Sequence, residues 1–257
     1  MVAVFILLHL CIYGGATAYN SSYDGDSGPV GGMKHPPEAG LLERYGGLFL
    51  QLLGAGTISL WGWGLGLCAG VLILMGTAYS HPRWRWKARP VLSLVVVAIG
   101  QGVIPFLIGY LVGAPLSRLS LEVWVAISAS ALLILGTYPL SQVYQVEEDE
   151  ARGDVTFSVR YGPHMAFNFA RFIVGAGIGA LGLAIVLSPG GRLFWLYILP
   201  VAYFVFDRTL ASWRRVFESN TVYENHDRSF LMSLGASAMF ALLAISEIAA
   251  ASKGLYE

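Results

Sequence analysis

The chain has 257 residues, of which 56% are apolar and only 12% charged, with 16 Lys and Arg against 16 Asp and Glu. A mean hydropathy of +0.62 is more apolar than a water-soluble core of this length can absorb, which excludes an ordinary soluble domain and marks an all-α polytopic membrane protein. The balanced charge excludes general attraction to nucleic acid, and Cys11 and Cys68, each inside an apolar run, exclude a disulfide framework.

In chain order, apolar runs long enough to span a bilayer predict helices over Val2–Ala18, Tyr45–Leu60, Trp63–Tyr79, Val91–Gly113, Leu121–Tyr144, Met165–Leu187, Leu193–Phe206 and Phe230–Ala250. Ala16, Thr17 and Ala18 imitate a signal-peptide cleavage site, but no Lys or Arg precedes the run, so it reads as the first membrane helix. Gly62 breaks the long stretch from Gly46 to Tyr79 into two spans. The run over Leu193–Phe206 is short and holds Pro200.

The loops alternate in charge. Lys34, Arg44, Arg83, Arg85, Lys87, Arg89, Arg152, Arg160, Arg208, Arg214, Arg215 and Arg228 fall in one set, and Arg118, Arg192 and Lys253 in the other. The positive-inside rule makes the first set cytoplasmic, in a multi-pass protein of the cell inner membrane. About eight spans then divide into two four-helix halves, roughly 1–113 and 121–250, forming one transmembrane domain over 1–257 with a central cavity. Glycines at 54, 56, 62, 64, 66, 175, 177 and 179 suit close helix packing in lipid.

Two acidic stretches lie on the same predicted side. The first, NSSYDGDSG, runs from Asn20 to Gly28 and holds Asp24 and Asp26; the second, QVEEDEARGD, runs from Gln145 to Asp154 and holds Glu148 and Asp149. Asn20 with Asp24, and Gln145 with Asp149, are four residues apart and share a face if each helix continues into its loop. Oxygen donors of this kind suit a hard cation such as Mg²⁺ shared with phosphate oxygens, while the five His are scattered and exclude a zinc cluster. The competing reading is of solvated acids at helix ends; the repetition of an amide and a carboxylate at one spacing favours a site. Tyr79 to Arg83 opens an aromatic, basic loop in which Arg83, with Lys34, is placed to meet a phosphate, while Arg85, Trp86, Lys87 and Arg89 read as an interfacial anchor. Arg171 and Glu247 are ionisable residues inside predicted spans, either functional or paired locally.

These stretches resemble the motifs of the UbiA superfamily of intramembrane prenyltransferases, N-x-x-x-D-x-x-x-D and D-x-x-x-D. Asn20 and Asp24 match the first; Gly28 stands at its third position, so the resemblance assigns that carboxylate to Asp26. In the second, Gln145 stands for the first Asp and Asp149 matches, with Glu148 and Asp154 able to supply the missing charge. Tyr79 and Arg83 resemble the family's Y-x-x-x-K element. The resemblance covers nearly the whole chain and implies the later eight of the family's usual nine helices, with the first lacking.

What it implies is transfer of an isoprenoid group from a prenyl diphosphate donor to a lipophilic, aromatic acceptor within the membrane. Mg²⁺ would be held by Asn20, Asp24, Asp26, Asp149 and Asp154. Asp24, Asp149 and Arg83 are then the catalytic candidates, and Lys34, Arg83, Tyr79, Asn20 and Gln145 the substrate-binding ones. Tyr19, Tyr23, Tyr138 and Tyr144 are candidates for stabilising an allylic cation through their ring faces. An intramembrane terpene cyclase, a secondary transporter and an inactive scaffold remain open as alternatives.

Overall fold

The computed structural model describes the backbone of residues 1–188 and 193–251; the side chains of 240, 243, 244 and 246–251, Glu247 among them, lie outside that description. Among the described residues ten helices, short 3₁₀ turns aside, follow in order: α1 Val2–Asp24, α2 Leu41–Ser59, α3 Trp63–Ser80, α4 Pro90–Gly113, α5 Leu121–Thr137, α6 Val146–Arg152, α7 Phe157–Tyr161, α8 Pro163–Leu187, α9 Trp195–Val216 and α10 Val222–Ala251. No strand forms among the described residues, only an isolated bridge between Val30 and Met33. Eight of the helices are long, and five stretches, α1, α3, α4, α5 with its following turn, and α8, are long and apolar enough to cross a membrane. The chain is a multi-pass membrane protein.

Four boundaries depart from the sequence pattern by six residues or more. Helix α1 runs six residues past Ala18, through the polar stretch, and stops at Asp24 where Gly25 takes a left-handed conformation with φ 58°. That extension puts Asn20 and Asp24 one turn apart on a helix. Conversely, α5 ends at Thr137, and Pro139 enters a 3₁₀ turn over Tyr138–Ser141. The second acidic stretch therefore sits on the separate helix α6. Helix α9 continues ten residues beyond Phe206 because Pro200 lies near its start, where few intrahelical bonds are lost. Helix α10 begins at Val222, eight residues early, behind a capping box: Thr221 N donates to Glu224 Oε2 at 2.7 Å, and Glu224 N to Thr221 Oγ1 at 3.3 Å.

Without a hydrophobic drive between helices in lipid, close approach depends on small residues. A Cβ placed on Gly47 of α2 would lie 2.5 Å from the Gly15 carbonyl oxygen of α1, so both positions must lack a side chain. Gly54 of α2, Gly102 of α4 against Ala131, and Gly136 at the α5–α8 crossing are similarly confined, and Gly177 at that crossing less so. One apolar core, with Leu8, Ile12, Ile58, Leu72 and Ile108, joins α1 to α4. A second, with Tyr144, Phe157, Phe167, Leu210 and Trp213, packs around α7, α8 and α9. Both α1 and α4 contain π-helical stretches, Leu7–Tyr13 and Ala98–Val103, joined where the Tyr13 hydroxyl donates to the Gly100 carbonyl at 2.7 Å.

Candidate functional site

The two acidic stretches meet at one end of the bundle. Glu148 of α6 accepts from Ser27 N at 2.8 Å and from Gly28 N at 3.5 Å, tying the second stretch to the first. A Cβ on Gly28 would lie 2.8 Å from Glu148 Oε2, which accounts for glycine there: Glu148 already fills the space. Glu148 thus ties α6 to the loop at Ser27 and Gly28 and does not line the cavity.

The four aspartates do share a cavity, of about 170 Å³, which Asn20, Tyr79, Tyr138, Gln145, Arg152 and Lys87 also line. Arg152, on the last turn of α6, stands among them. Its Nη1 donates to Asp26 Oδ1 at 2.7 Å and to the Asp24 carbonyl at 3.0 Å, and its Nη2 donates to Asp149 Oδ1 at 3.1 Å. Nε lies 3.3 Å from Asp154 Oδ2. Arg85 grips Asp154 with both ends of its fork, at 2.5 and 2.8 Å. Lys87 Nζ pairs with Asp24 Oδ1 and is 3.4 Å from Asn20 Oδ1. Asn20 in turn donates to Asp24 Oδ2 at 2.7 Å and accepts from Ser80 Oγ at 2.8 Å. Thr156 Oγ1 completes the shell by donating to Asp149 Oδ2 at 3.1 Å.

Burial governs the ionisation of this cluster. Asp149 is pushed up to about 6, chiefly by loss of water around its carboxylate, against the opposing pull of Arg152 and the Thr156 hydrogen bond. The ammonium of Lys87 is brought down to about 8, again mainly by burial. Four carboxylates facing Arg85, Lys87 and Arg152 leave one negative charge over, with a mouth rich in hydrogen-bond donors.

As a donor set, oxygen-only carboxylates with one amide fit a hard divalent cation. Among the described residues no three Asp, Glu, His or Cys side chains converge on one point, because the guanidinium of Arg152 and the ammonium of Lys87 stand between the carboxylates. A cation entering here replaces one of those contacts.

Of the sequence-based candidates, Asn20, Asp24, Asp26, Tyr79, Gln145, Asp149 and Asp154 line this cavity. The Gln145 amide is turned toward the Pro29 carbonyl, 3.4 Å away. Lys34 and Arg83 are not brought in. Lys34 is exposed and pairs with Asp227 of α10 at 2.7 Å. Arg83 is exposed in a turn, its backbone N–H bonded to His81 Nδ1 at 3.2 Å. Helix α3 stops at Ser80 ahead of Pro82, so Arg83 does not sit one turn beyond Tyr79, and Arg85, at a left-handed φ of 39°, reverses the chain. Arg85 itself and Lys87, two residues beyond it, point into the acids. Their reading as interfacial anchors is corrected on this geometry, and nothing in the sequence signalled it, because no motif announces a left-handed residue at Arg85.

Tyr138 is the one of the four candidate tyrosines that lines the cavities, its hydroxyl 2.6 Å from that of Tyr79. Tyr19 packs on Tyr23 and Tyr144 on His226. Arg171 pairs with Asp207 of α9. Beneath the acidic cavity a second, apolar one of about 220 Å³ continues between α1, α3 and α4, sharing Asn20, Tyr79 and Tyr138 with it. The arrangement is that of a charged head site opening onto a greasy channel.

The sequence matches the model of the UbiA prenyltransferase family over residues 1–247. The chain belongs to the UbiA prenyltransferase family. Its fold is similar to that of a UbiA homolog from Archaeoglobus fulgidus solved bound to DMAPP and Mg²⁺, with a TM-score of 0.62 and 16% identity over 90% of this chain and 85% of that one. The Cd²⁺-bound structure of a UbiA homolog from the same organism matches with a TM-score of 0.60 and 17% identity, over 90% of this chain and 87% of the other. No curated protein matches the sequence. Within this UbiA fold the two acidic stretches, remote in sequence, are held in one cavity by Arg152.

Proposed function

We propose that this UbiA-family chain transfers an isoprenoid group from a prenyl diphosphate to a lipophilic acceptor inside the membrane, in a Mg²⁺-dependent reaction at the acidic cavity. The observation that carries the reading is the junction of the two cavities at Asn20, Tyr79 and Tyr138. It offers one molecule a charged place for its head and an apolar place for its chain. A UbiA homolog of similar fold, solved bound to DMAPP and Mg²⁺, supports a prenyl diphosphate and Mg²⁺ as the ligands of such a site.

Asn20, Asp24, Asp26, Asp149 and Asp154 would hold Mg²⁺, which when bound supplies neutralisation of the diphosphate oxygens. Lys87, Arg85 and Arg152 orient the diphosphate by charge-assisted hydrogen bonds. The C1–O bond of the donor breaks with its electron pair left on the diphosphate. An electron-rich carbon or oxygen of the acceptor then supplies the pair for the new bond to C1, and the acceptor's displaced proton passes to the released diphosphate. Tyr79 and Tyr138, whose hydroxyls meet at 2.6 Å where the two cavities join, would offer ring faces to the positive charge that develops on C1, and the apolar walls below would keep water from it. The basic residues of the loops at this end orient it to the cytoplasm.

The test is binding and turnover of labelled dimethylallyl or geranyl diphosphate by the protein in lipid nanodiscs, with and without Mg²⁺. Donor binding that requires Mg²⁺ and is lost in Asp24→Asn is the expected result; no donor binding by the wild type, or binding unaffected by both Mg²⁺ and Asp24→Asn, would sink the reading. Product formed without any acceptor would instead mark internal quenching of the cation.

A further inference from the structure

Residues 25–40 link α1 to α2 past the acidic cavity with no helix of their own. The first part of this strap is cavity wall. Pro29 is buried, Val30 lines the cavity, and Ser27 N and the Pro29 carbonyl are tied to Glu148 and Gln145 at α6. The second part is tied to α10. His226 Nε2 donates to the Gly31 carbonyl at 2.9 Å, a Cβ placed on Gly32 would lie 3.2 Å from the Phe230 ring, and Lys34 pairs with Asp227. Residues 226, 227 and 230 fall on one side of α10, so the first turns of that helix are given over to the strap. His226 is 2% exposed, and with the proton on Nε2 its Nδ1 is a buried acceptor that has no hydrogen bond. The contact with Gly31 is kept although it leaves that nitrogen unpaired, which costs stability and is not what packing alone would select.

For a diphosphate to reach the cavity, part of its cover must move. The side chains of Asp24, Asp26, Asp149 and Asp154 are each at most 10% exposed. Passage through the apolar cavity would take the phosphate charges past Ile12, Leu72, Val96 and Val97 with nothing to replace their water. Entry is therefore from the loop end, where α6 and the strap form cover. Helix α6 carries Asp149 and cannot swing without pulling it off Thr156. Residues 27–35, by contrast, include no member of the acid cluster. The strap turns at Gly25 and Gly31, left-handed with φ 58° and 57°, and both have open space at the Cβ position.

We infer that residues 27–35 are a lid over the acidic cavity and that α10, through His226 and Phe230, is the latch that holds it shut. A diphosphate enters when the latch releases and is retained when it closes. His226 and Phe230 act on the bound ligand through the strap, as positioning residues that set entry and release. The Lys34–Asp227 pair is half-exposed on both sides and adds little to the latch. The lid rests on the reading of the cavity as a diphosphate site; it does not depend on transfer of the isoprenoid chain.

The test uses the full chain in lipid nanodiscs with Mg²⁺ and two probes, inorganic pyrophosphate and labelled geranyl diphosphate. Hydrogen exchange of residues 27–35, followed by mass spectrometry, reads the lid, and rapid mixing reads association and dissociation of each probe. Bound probe should slow exchange of the lid amides about tenfold. His226→Phe keeps a ring between Tyr144 and Phe230 but cannot donate to Gly31. It should raise both the association and the dissociation rate about fivefold, the loss of one hydrogen bond from the latch. Phe230→Ala should act in the same direction and gives the reading if His226→Phe does not fold; Lys34→Ala should move neither rate beyond about twofold. Damage to the site itself slows association, so a joint rise in both rates separates a latch from a structural support. The inference is overturned if neither probe protects residues 27–35, or if the two latch variants leave both rates unmoved or slow association. Protection by pyrophosphate with no binding of geranyl diphosphate keeps the lid and removes the prenyl-transfer reading.

Discussion

Arg152 Nη1 lies 2.7 Å from Asp26 Oδ1, joining residues 126 positions apart in the chain. Through that contact the second acidic stretch closes over the first, and a guanidinium occupies ground between carboxylates where a divalent cation would also be held. Arg152 therefore stabilises the cation-free cavity and competes with whatever cation enters it.

Removing the guanidinium should expose this competition. Arg152→Ala leaves Asp26, Asp149 and Asp154 buried with fewer counter-charges, and is expected to destabilise the protein by about 3 kcal/mol. Added Mg²⁺ should restore more stability to Arg152→Ala than it adds to wild type. Thermal unfolding in detergent across a Mg²⁺ titration reads both effects, and equal Mg²⁺ shifts in the two proteins would count against the competition.

The basic residues make a contrast of their own. Lys87→Met should raise the donor KM at least tenfold, since it strips a buried cation from Asp24 and from the cavity mouth. Arg83→Ala and Lys34→Ala should leave it within about twofold, as expected for exposed groups whose contacts lie elsewhere. A donor KM that responds to Arg83 and ignores Lys87 would reverse the placement drawn from the structure.

Replacing Asp24 or Asp149 by Asn keeps side-chain volume while removing charge. Each change should lower Mg²⁺-dependent donor turnover by about 100-fold or more, a loss of the size seen when groups around a metal are altered. Expression and the helical circular dichroism signal should hold. Wild-type turnover in either variant would dismiss that residue from the site.

Asp149 also sets a pH dependence. Its folded value of about 6 lies above the ordinary 3.8, so between those values the folded protein binds more protons than the unfolded chain. Its ionisation therefore carries a stability cost that is absent below about 3.8, grows as pH rises, and is complete above about 6. Cation binding has the opposite sense, because it needs the carboxylate: Mg²⁺ affinity should fall as pH drops through about 6. In Asp149→Asn that inflection should vanish from the binding curve, and its persistence would assign it to another group.

At the α1–α2 crossing, Gly47→Val should destabilise by about 2 kcal/mol through overpacking against the Gly15 carbonyl. Gly46, with open space around its Cβ position, should accept the same change at a small cost. Comparison of the two melting curves isolates close approach from glycine's general backbone freedom.

Much about this protein is local and was open to reading from the chain. Runs of apolar residues mark most of the long helices because lipid requires backbone bonds to close within each segment. Asn20 with Asp24 announced half of the cavity through one-turn spacing, and Gln145 to Asp154 the other half. Ends set by capping are local too, but apolar runs do not show this one: the Thr221–Glu224 capping box starts α10 eight residues ahead of the apolar run.

Only tertiary structure decided which charges face which. Whether Arg83 or Lys87 enters the cavity depends on the chain reversal at Arg85, and whether Glu148 or Asp154 contributes charge depends on how α6 lies across the loop at Ser27 and Gly28. His226 and Phe230 share a side of α10 by spacing alone, but only folding sets Gly31, 195 positions from His226, against it. Periodicity fixes the face a residue occupies on its own helix; the partner of that face comes from packing between segments far apart in sequence. For the same reason the two acidic stretches could be matched by composition from the sequence, but only Arg152, reaching from one to the other, makes them a single cavity.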